Sequence, residues 1–171
     1  GETQQPEFTA LNRKQKIPFY RDERVSLSES MAICRYLAHN FSDGQFAVPD
    51  SPEAFAKEDE WCAYIYGEID ETGLYVMRRH GDLGSIYGES PEVSAAAASY
   101  VSRHFEVVAD RLADDNTLMP SGFGLADVLL VSCLDWAIAY GVALPPALQG
   151  YYEFHNTRPA YQRAMKINYP D

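Results

Sequence analysis

The sequence predicts an α+β chain, with β-structure confined to residues 1 to about 40 and an all-α remainder. Three observations carry this. Two short β-like runs flank a charged turn between Lys16 and Ser28. Two Ser-Pro pairs, Ser51-Pro52 and Ser90-Pro91, each open an amphipathic stretch. The segment "LADVLLVSCLDWAIAY" (125–140) is apolar almost all round.

Taken in order, Pro6–Leu11 reads as a helical turn or two. "KIPFY" (16–20) reads as a strand begun through a proline, and "ERVSLS" (23–28) as its partner. Arg21-Asp22-Glu23-Arg24 joins them, which makes a hairpin. A capping signature follows: Ser26-x-x-Glu29, or Ser28 as the cap with Glu29 and Ser30 in the first turn. The next helix carries Ala32, Ile33, Tyr36 and Leu37 on its buried face. Helix, hairpin and helix are half of something, because two strands with an open edge are marginal alone. "FSDGQFAVPDS" (41–51) has the Gly, Pro and polar residues of a linker. The expected division is therefore 1–40, a linker over 41–51, and an all-α domain over 52–171.

Within that domain, each Ser-Pro pair places a serine at the N-cap and proline at the first helical position. The first opens a helix reaching about His80, with Trp61, Ile65, Ile69 and Val76 near helical spacing. The second opens a helix to about Leu112, with Val101, Phe105, Val108 and Leu112 as one stripe. "DDNTLMPSGFG" (114–124) reads as a loop. The apolar 125–140 segment is the buried central helix. Further helices start at Pro145-Pro146 and Arg158-Pro159 and end near His155 and Met165.

Fourteen basic against 25 acidic residues give a formal charge of −11. That field repels phosphate backbones and anionic lipid surfaces, which argues against nucleic-acid and membrane-surface partners. Apolar runs stop well short of about 18 residues, so no transmembrane helix is expected. No signal peptide is visible at Gly1. Cys34, Cys62 and Cys133 are scattered among helical apolar residues, the pattern of buried thiols in a reducing compartment. No metal site is expected from the histidines. The expectation is a cytoplasmic protein.

Two places carry binding chemistry. Ile17-Pro18 opens a strand: a cis bond there would turn backbone groups toward a ligand, and a trans bond would be an ordinary strand start. Glu29-Ser30 stands at a helix N-terminus, whose free N–H groups and dipole suit a carboxylate. The serine adds a donor and the glutamate suits an ammonium group, so an α-amino acid moiety fits; a plain capping box fits as well. On the long helix, Tyr66, Asp70, Gly73 and Met77 fall at helical spacing on one face. They read either as an apolar pocket or as core and dimer packing. Arg78-Arg79-His80 either attract an anion or are a solvated helix end.

Several stretches resemble cytosolic glutathione transferases: Pro6-Glu7-Phe8, Leu11-Asn12, Lys16-Ile17-Pro18, Glu29-Ser30-Met31-Ala32-Ile33 with Tyr36-Leu37, "GLADVLLVSCLDWA" with Asp127, and "RPAYQRAM". The resemblance covers essentially the whole chain, and "ETGLYVMRRHGDL" is most similar to bacterial theta- or beta-like members. It implies a partial thioredoxin-like domain followed by the family's helical domain, with glutathione as co-substrate. It implies a cis Pro18, Ile17 pairing its backbone with the cysteinyl unit, and Glu29 and Ser30 holding the γ-glutamyl charges. Lys16 belongs to the same glutathione-binding set, and Tyr66, Asp70, Gly73 and Met77 to an electrophile pocket. It implies transfer of the glutathione thiolate to a small, largely apolar electrophile, and a homodimer. The alternative is a glutathione-binding or scaffold member without catalysis.

The sequence departs from the family at Arg13 and Gln15, where Pro and Gly are usual, and at Gly124, where Ser or Thr opens the capping motif. In the family the catalytic Tyr, Ser or Cys lies in a strand–helix–strand ahead of the stretch matched by Gly1. No residue here matches that role, so it is expected N-terminal to Gly1.

Overall fold

Strands β1 (Phe19–Arg21) and β2 (Ser26–Ser28) pair antiparallel in the register Phe19↔Ser28, Tyr20↔Leu27, Arg21↔Ser26. Asp22 makes the turn between them. Its Oδ1 accepts from the Arg24 and Val25 N–H groups, both at 2.8 Å, and its own N–H donates to the Val25 carbonyl at 3.0 Å. Oδ2 accepts from the hydroxyls of Tyr36 (2.7 Å) and Tyr20 (3.0 Å). These bonds, Tyr36 first, hold the Asp22 carboxyl well below the usual carboxylate range. They also tie the hairpin to α2 (Ser30–Phe41). Helix α1 (Pro6–Leu11) packs Phe8 edge-on against Phe19 of β1, with centroids 6.4 Å apart.

This is a computed structural model, and it describes residues 1–42, 44–112 and 116–169. Residues 43 and 114–115, placed by the sequence in the linker and in the 114–124 loop, lie outside the described set. The chain divides into two compact units, Gly1–Val48 and Pro49–Asp171. The first holds the hairpin with its helices. The second is all-α among the described residues.

The expected capping box does not form at α2. Ser26 and Ser28 are drawn into the β2 ladder, and Glu29 takes the N-cap position at φ +79° with no side-chain cap bond. The left-handed backbone at Glu29 turns the chain from strand into helix within one residue.

In the second unit, Ser51 caps α3 (Pro52–Tyr64) through its Oγ, which accepts from the Ala54 N–H at 3.2 Å. Ser90 precedes α6 (Pro91–Ala109) but makes no capping bond. The long helix runs from 52 to 80, as expected, but it is not uniform. Between α3 and α4 (Tyr75–His80) lies a π-helical stretch, Ile65–Leu74, followed after a turn by a short helix α5 (Gly84–Tyr87). Neither was visible in the sequence pattern. The π-helix closes bonds to the fifth residue back instead of the fourth, so each residue turns through a smaller angle. Positions seven apart, which share a face in an α-helix, then lie on opposite sides.

The π stretch packs against α6 and α7 (Leu125–Ala139), and Ile65, Ile69 and Leu74 are fully buried. From α6 come Ala97, Val101, Phe105 and Val108; the helix ends at Ala109, which leaves Leu112 off the stripe. Helix α7 is the central element, with buried residues on every side, as its composition implies. Its one buried charge, Asp127, accepts at Oδ2 from the Gly124 N–H (2.9 Å). Oδ1 accepts from the Leu118 N–H (2.9 Å) and the Tyr151 hydroxyl (2.8 Å). The glycine cap thus relies on Asp127 alone. Helices α8 (Pro146–Asn156) and α9 (Pro159–Asn168) are fastened to α7 by the Tyr152 and Tyr161 hydroxyls, which donate to Asp135 Oδ1 at 2.9 and 2.6 Å. No helix of the described residues is long and apolar enough to cross a membrane.

Candidate functional site

In the first unit the expected binding residues gather at one end of the hairpin. The register Phe19↔Ser28 brings residues 17–18 alongside 29–30. The Ile17–Pro18 bond is cis, and Ile17 is 74% exposed. Glu29 and Ser30 are exposed at the start of α2. No side chain caps that helix end, so first-turn N–H groups and the dipole face outward without an internal anion.

The loop before Ile17 is wound around Asn12, which is only 7% exposed. Its Nδ2 donates to the Lys16 carbonyl at 2.8 Å, its Oδ1 accepts from the Lys14 N–H at 3.1 Å, and its carbonyl accepts from the Gln15 N–H at 3.0 Å. This winding forces Gln15 to φ +56°, at the position where the resembled pattern has glycine. It also points Lys14 across to the hairpin. Lys14 Nζ donates to Ser28 Oγ at 2.9 Å and pairs with the Glu29 carboxylate through Oε1. A carboxylate, an ammonium, a hydroxyl and a helix N-terminus thus meet on one surface. Sequence reasoning singled out Lys16, which is exposed, and missed Lys14. The available signal was its place between Asn12 and Lys16, in a loop that Asn12 organises.

In the second unit, Tyr66, Asp70, Gly73 and Met77 do not form one face. Tyr66 is 44% exposed, whereas Gly73 and Met77 are buried. The π winding is the cause, since it swings 66 and 73 to opposite sides. Gly73 packs so closely on α6 that a Cβ there would stand 2.4 Å from Val101 Cγ2. Asp70 is half-buried, and its carboxyl is pushed up to about 6, first by burial and then by the charge of Glu71. Arg78 lies over the Trp136 ring and Arg79 over Tyr87, so both are engaged by aromatic faces. No group of His, Cys, Asp and Glu among the described residues could hold a metal ion.

The glutathione S-transferase N-terminal domain family matches residues 1–39, which include the whole of this hairpin-end site. Over most of its length the chain is 27% identical to rat glutathione S-transferase theta-1, covering 89% of this chain and 66% of that one. It is 28% identical to maleylacetoacetate isomerase of Pseudomonas aeruginosa, covering all of this chain and 81% of that enzyme. Residues 1–39 thus match the N-terminal domain of glutathione S-transferases, and the chain as a whole is similar to members of that family. Its fold agrees: a glutathione transferase homologue from Lodderomyces elongisporus, crystallised with two GSH per subunit, superposes with a TM-score of 0.85 at 20% identity, over 99% of this chain and 83% of that one. A theta-class glutathione S-transferase from Xanthomonas axonopodis pv. citri with glutathione bound gives 0.75 at 26% identity, over 95% and 78%. This glutathione S-transferase relative is thus α+β, with a thioredoxin-like N-terminal part and an all-α C-terminal part. It spans 66% of the length of the rat and mouse theta-1 enzymes.

Proposed function

We propose that this protein binds glutathione through the hairpin end of its first unit and conjugates the glutathione thiolate to a small, largely apolar electrophile. The observation that carries the reading is the uncapped, exposed N-terminus of α2, with Ser30 in its first turn and Glu29 at its cap. An α-amino acid moiety presents an ammonium and a carboxylate side by side. Glu29 takes the first; Ser30 and the helix N–H groups take the second. The backbone of Ile17, beside Pro18, pairs with the cysteinyl unit as a short antiparallel strand, and Lys16 adds positive charge for the tripeptide. In this reading Lys14 holds on Glu29 the place of the glutathione ammonium, so binding exchanges one cation for another. Similarity to a structure crystallised with two GSH per subunit supports the same reading.

The chemistry is thiol activation. A free thiol of pKa about 8.5 is only a small fraction thiolate at neutral pH, so a donor aimed at sulfur is required. The electrophile is assigned to the second unit, to the stretch holding Tyr66, Asp70 and Met77, with Gly73 reserved for packing on Val101. A homodimer and a cytoplasmic setting belong to the same proposal by family likeness.

Calorimetric titration of glutathione into the wild type and Ser30→Ala tests it. A lost charge-assisted hydrogen bond weakens binding by about 1–3 kcal/mol. An unchanged dissociation constant rejects Ser30 as a ligand. Turnover of an aryl halide by these 171 residues overturns the expectation that the sulfur-activating donor lies N-terminal to Gly1.

A further inference from the structure

A buried polar atom without a hydrogen-bond partner calls for an explanation. Among the described residues, Nδ1 of His155 is such an atom. The ring lies on α8 and is 1% exposed. Its Nε2 stands 2.7 Å from the Asn116 carbonyl. A carbonyl can only accept, so Nε2 carries the proton and Nδ1 is the bare nitrogen. Aromatic rings surround the imidazole: Tyr151, Phe123 and Phe154, with centroids 4.4, 4.9 and 5.1 Å away. None of them brings an acceptor to Nδ1.

Through this bond and a ring contact, α8 holds the 116–124 segment that leads into α7. Asn116 supplies the carbonyl and Phe123 the ring. Leu118 and Met119 within the segment are buried, and Asp127 of α7 holds it from the other end through the Leu118 and Gly124 N–H groups. We infer that His155 is an acid-released latch: bare at Nδ1 it fastens the 116–124 segment to α8, and a proton taken up there lets the segment go. A protonated Nδ1 is a second donor with no acceptor in reach, on a ring that has lost its water. The rings do not relieve it. Phe123 already bears the Arg158 guanidinium 3.8 Å from its centroid, so a second cation against that ring meets repulsion.

The charges facing the imidazole set the sign. Burial pushes it below its ordinary 6.5; the Asn116 bond and the Asp127 carboxylate of α7 raise it, and Arg158, at the cap of α9, lowers it. Helix α6 also packs against α8, but among the described residues no charged group of α6 acts on the ring. A base lowered in this way favours the closed segment fully above pH 6.5 and loses that preference as pH falls through the lowered value. Asp127 titrates in the opposite sense. Burial raises its carboxyl, so acid favours its folded form. Release on acidification therefore belongs to His155.

Hydrogen–deuterium exchange of the full chain tests the latch, read at the Leu118 and Gly124 amides and corrected for the intrinsic pH dependence of exchange. The expected result is opening that rises about tenfold between about pH 7 and about pH 5. Over the same range the fluorescence of Trp61 and Trp136, both in the second unit, keeps its folded value. His155→Gln offers an N–H to the Asn116 carbonyl and takes up no proton, so its opening does not rise. A wild-type rise no larger than that of His155→Gln overturns the latch. So does a tryptophan signal lost in step with the exchange, which is unfolding of the whole unit. Nitrogen-15 NMR of the imidazole decides the matter in the wild type alone if the variant does not fold. Nδ1 should resonate as a bare nitrogen at about pH 7. An Nδ1 already protonated there, or protonated at about pH 5 with the two amides still closed, overturns the latch as well.

Discussion

Asp127→Ala removes the one carboxylate that three buried donors share. Asp127 and Tyr151 are each 0% exposed, so neither the Leu118 and Gly124 N–H groups nor the Tyr151 hydroxyl has water to turn to. Loss of the helix cap alone costs about 1 kcal/mol, and each further orphaned donor about 1–3 kcal/mol. The carboxyl is itself raised by burial, ahead of the hydrogen bonds that lower it. Removing it therefore returns some desolvation cost, and the expected net loss is about 3–5 kcal/mol. That is a large part of a typical stability of about 5–15 kcal/mol. Both tryptophans, Trp61 and Trp136, lie in the second unit, so urea unfolding followed by tryptophan fluorescence reads that unit alone. At an m-value of about 2 kcal/mol/M the midpoint falls by about 2 M. Asp127→Asn keeps an acceptor for two donors but turns an NH2 toward the third, and loses less. A midpoint within about 0.3 M of wild type for the alanine variant refutes the network as the anchor of α7.

Gly73→Ala forces a methyl against Val101 and costs about 1–3 kcal/mol by the same unfolding assay; adding Val101→Ala recovers part of it. Gln15→Gly relieves a left-handed backbone and gains about 0.5–1 kcal/mol, read as slower amide exchange in β1 and β2. Asp70→Asn shifts stability with pH. The Asp70 carboxyl is raised from 3.8 to about 6 in the fold. Its stabilising contribution is thus full below 3.8 and is lost as pH rises through about 6. The raise corresponds to about 3 kcal/mol, which partial exposure screens to about 1–2 kcal/mol. The asparagine variant should therefore outlast the wild type in thermal unfolding at pH 8 and match it below about pH 4.

The elements were legible wherever a single local rule decided them. The Ser51-Pro52 start of α3, the all-round apolar α7 and the hairpin between Tyr20 and Leu27 follow from capping, composition and alternation. What escaped was set by competition between rules. Ser26 and Ser28 carried a capping signature, but pairing with β1 claimed them first and left the cap to Glu29. The stripe of Tyr66, Asp70, Gly73 and Met77 assumed an α-helical turn. The winding there is instead π-helical, in a stretch that packs on α6 and α7, and residue spacing does not show it. Lys16 stood out because it adjoins Ile17-Pro18. Lys14 became visible only once the turn around Asn12 carried its ammonium to Glu29, a contact between residues 15 apart in the chain.

The wide coil between α3 and α4 is a slip joint. A codon lost within 65–74 is absorbed by tightening the winding to the ordinary pitch, whereas one lost from α7 rotates every later core residue out of place. Homologues of unequal length should thus differ by single residues in this stretch. Each such change re-aims the side chains beyond it and alters what the second unit presents, without unpicking the helices that hold it.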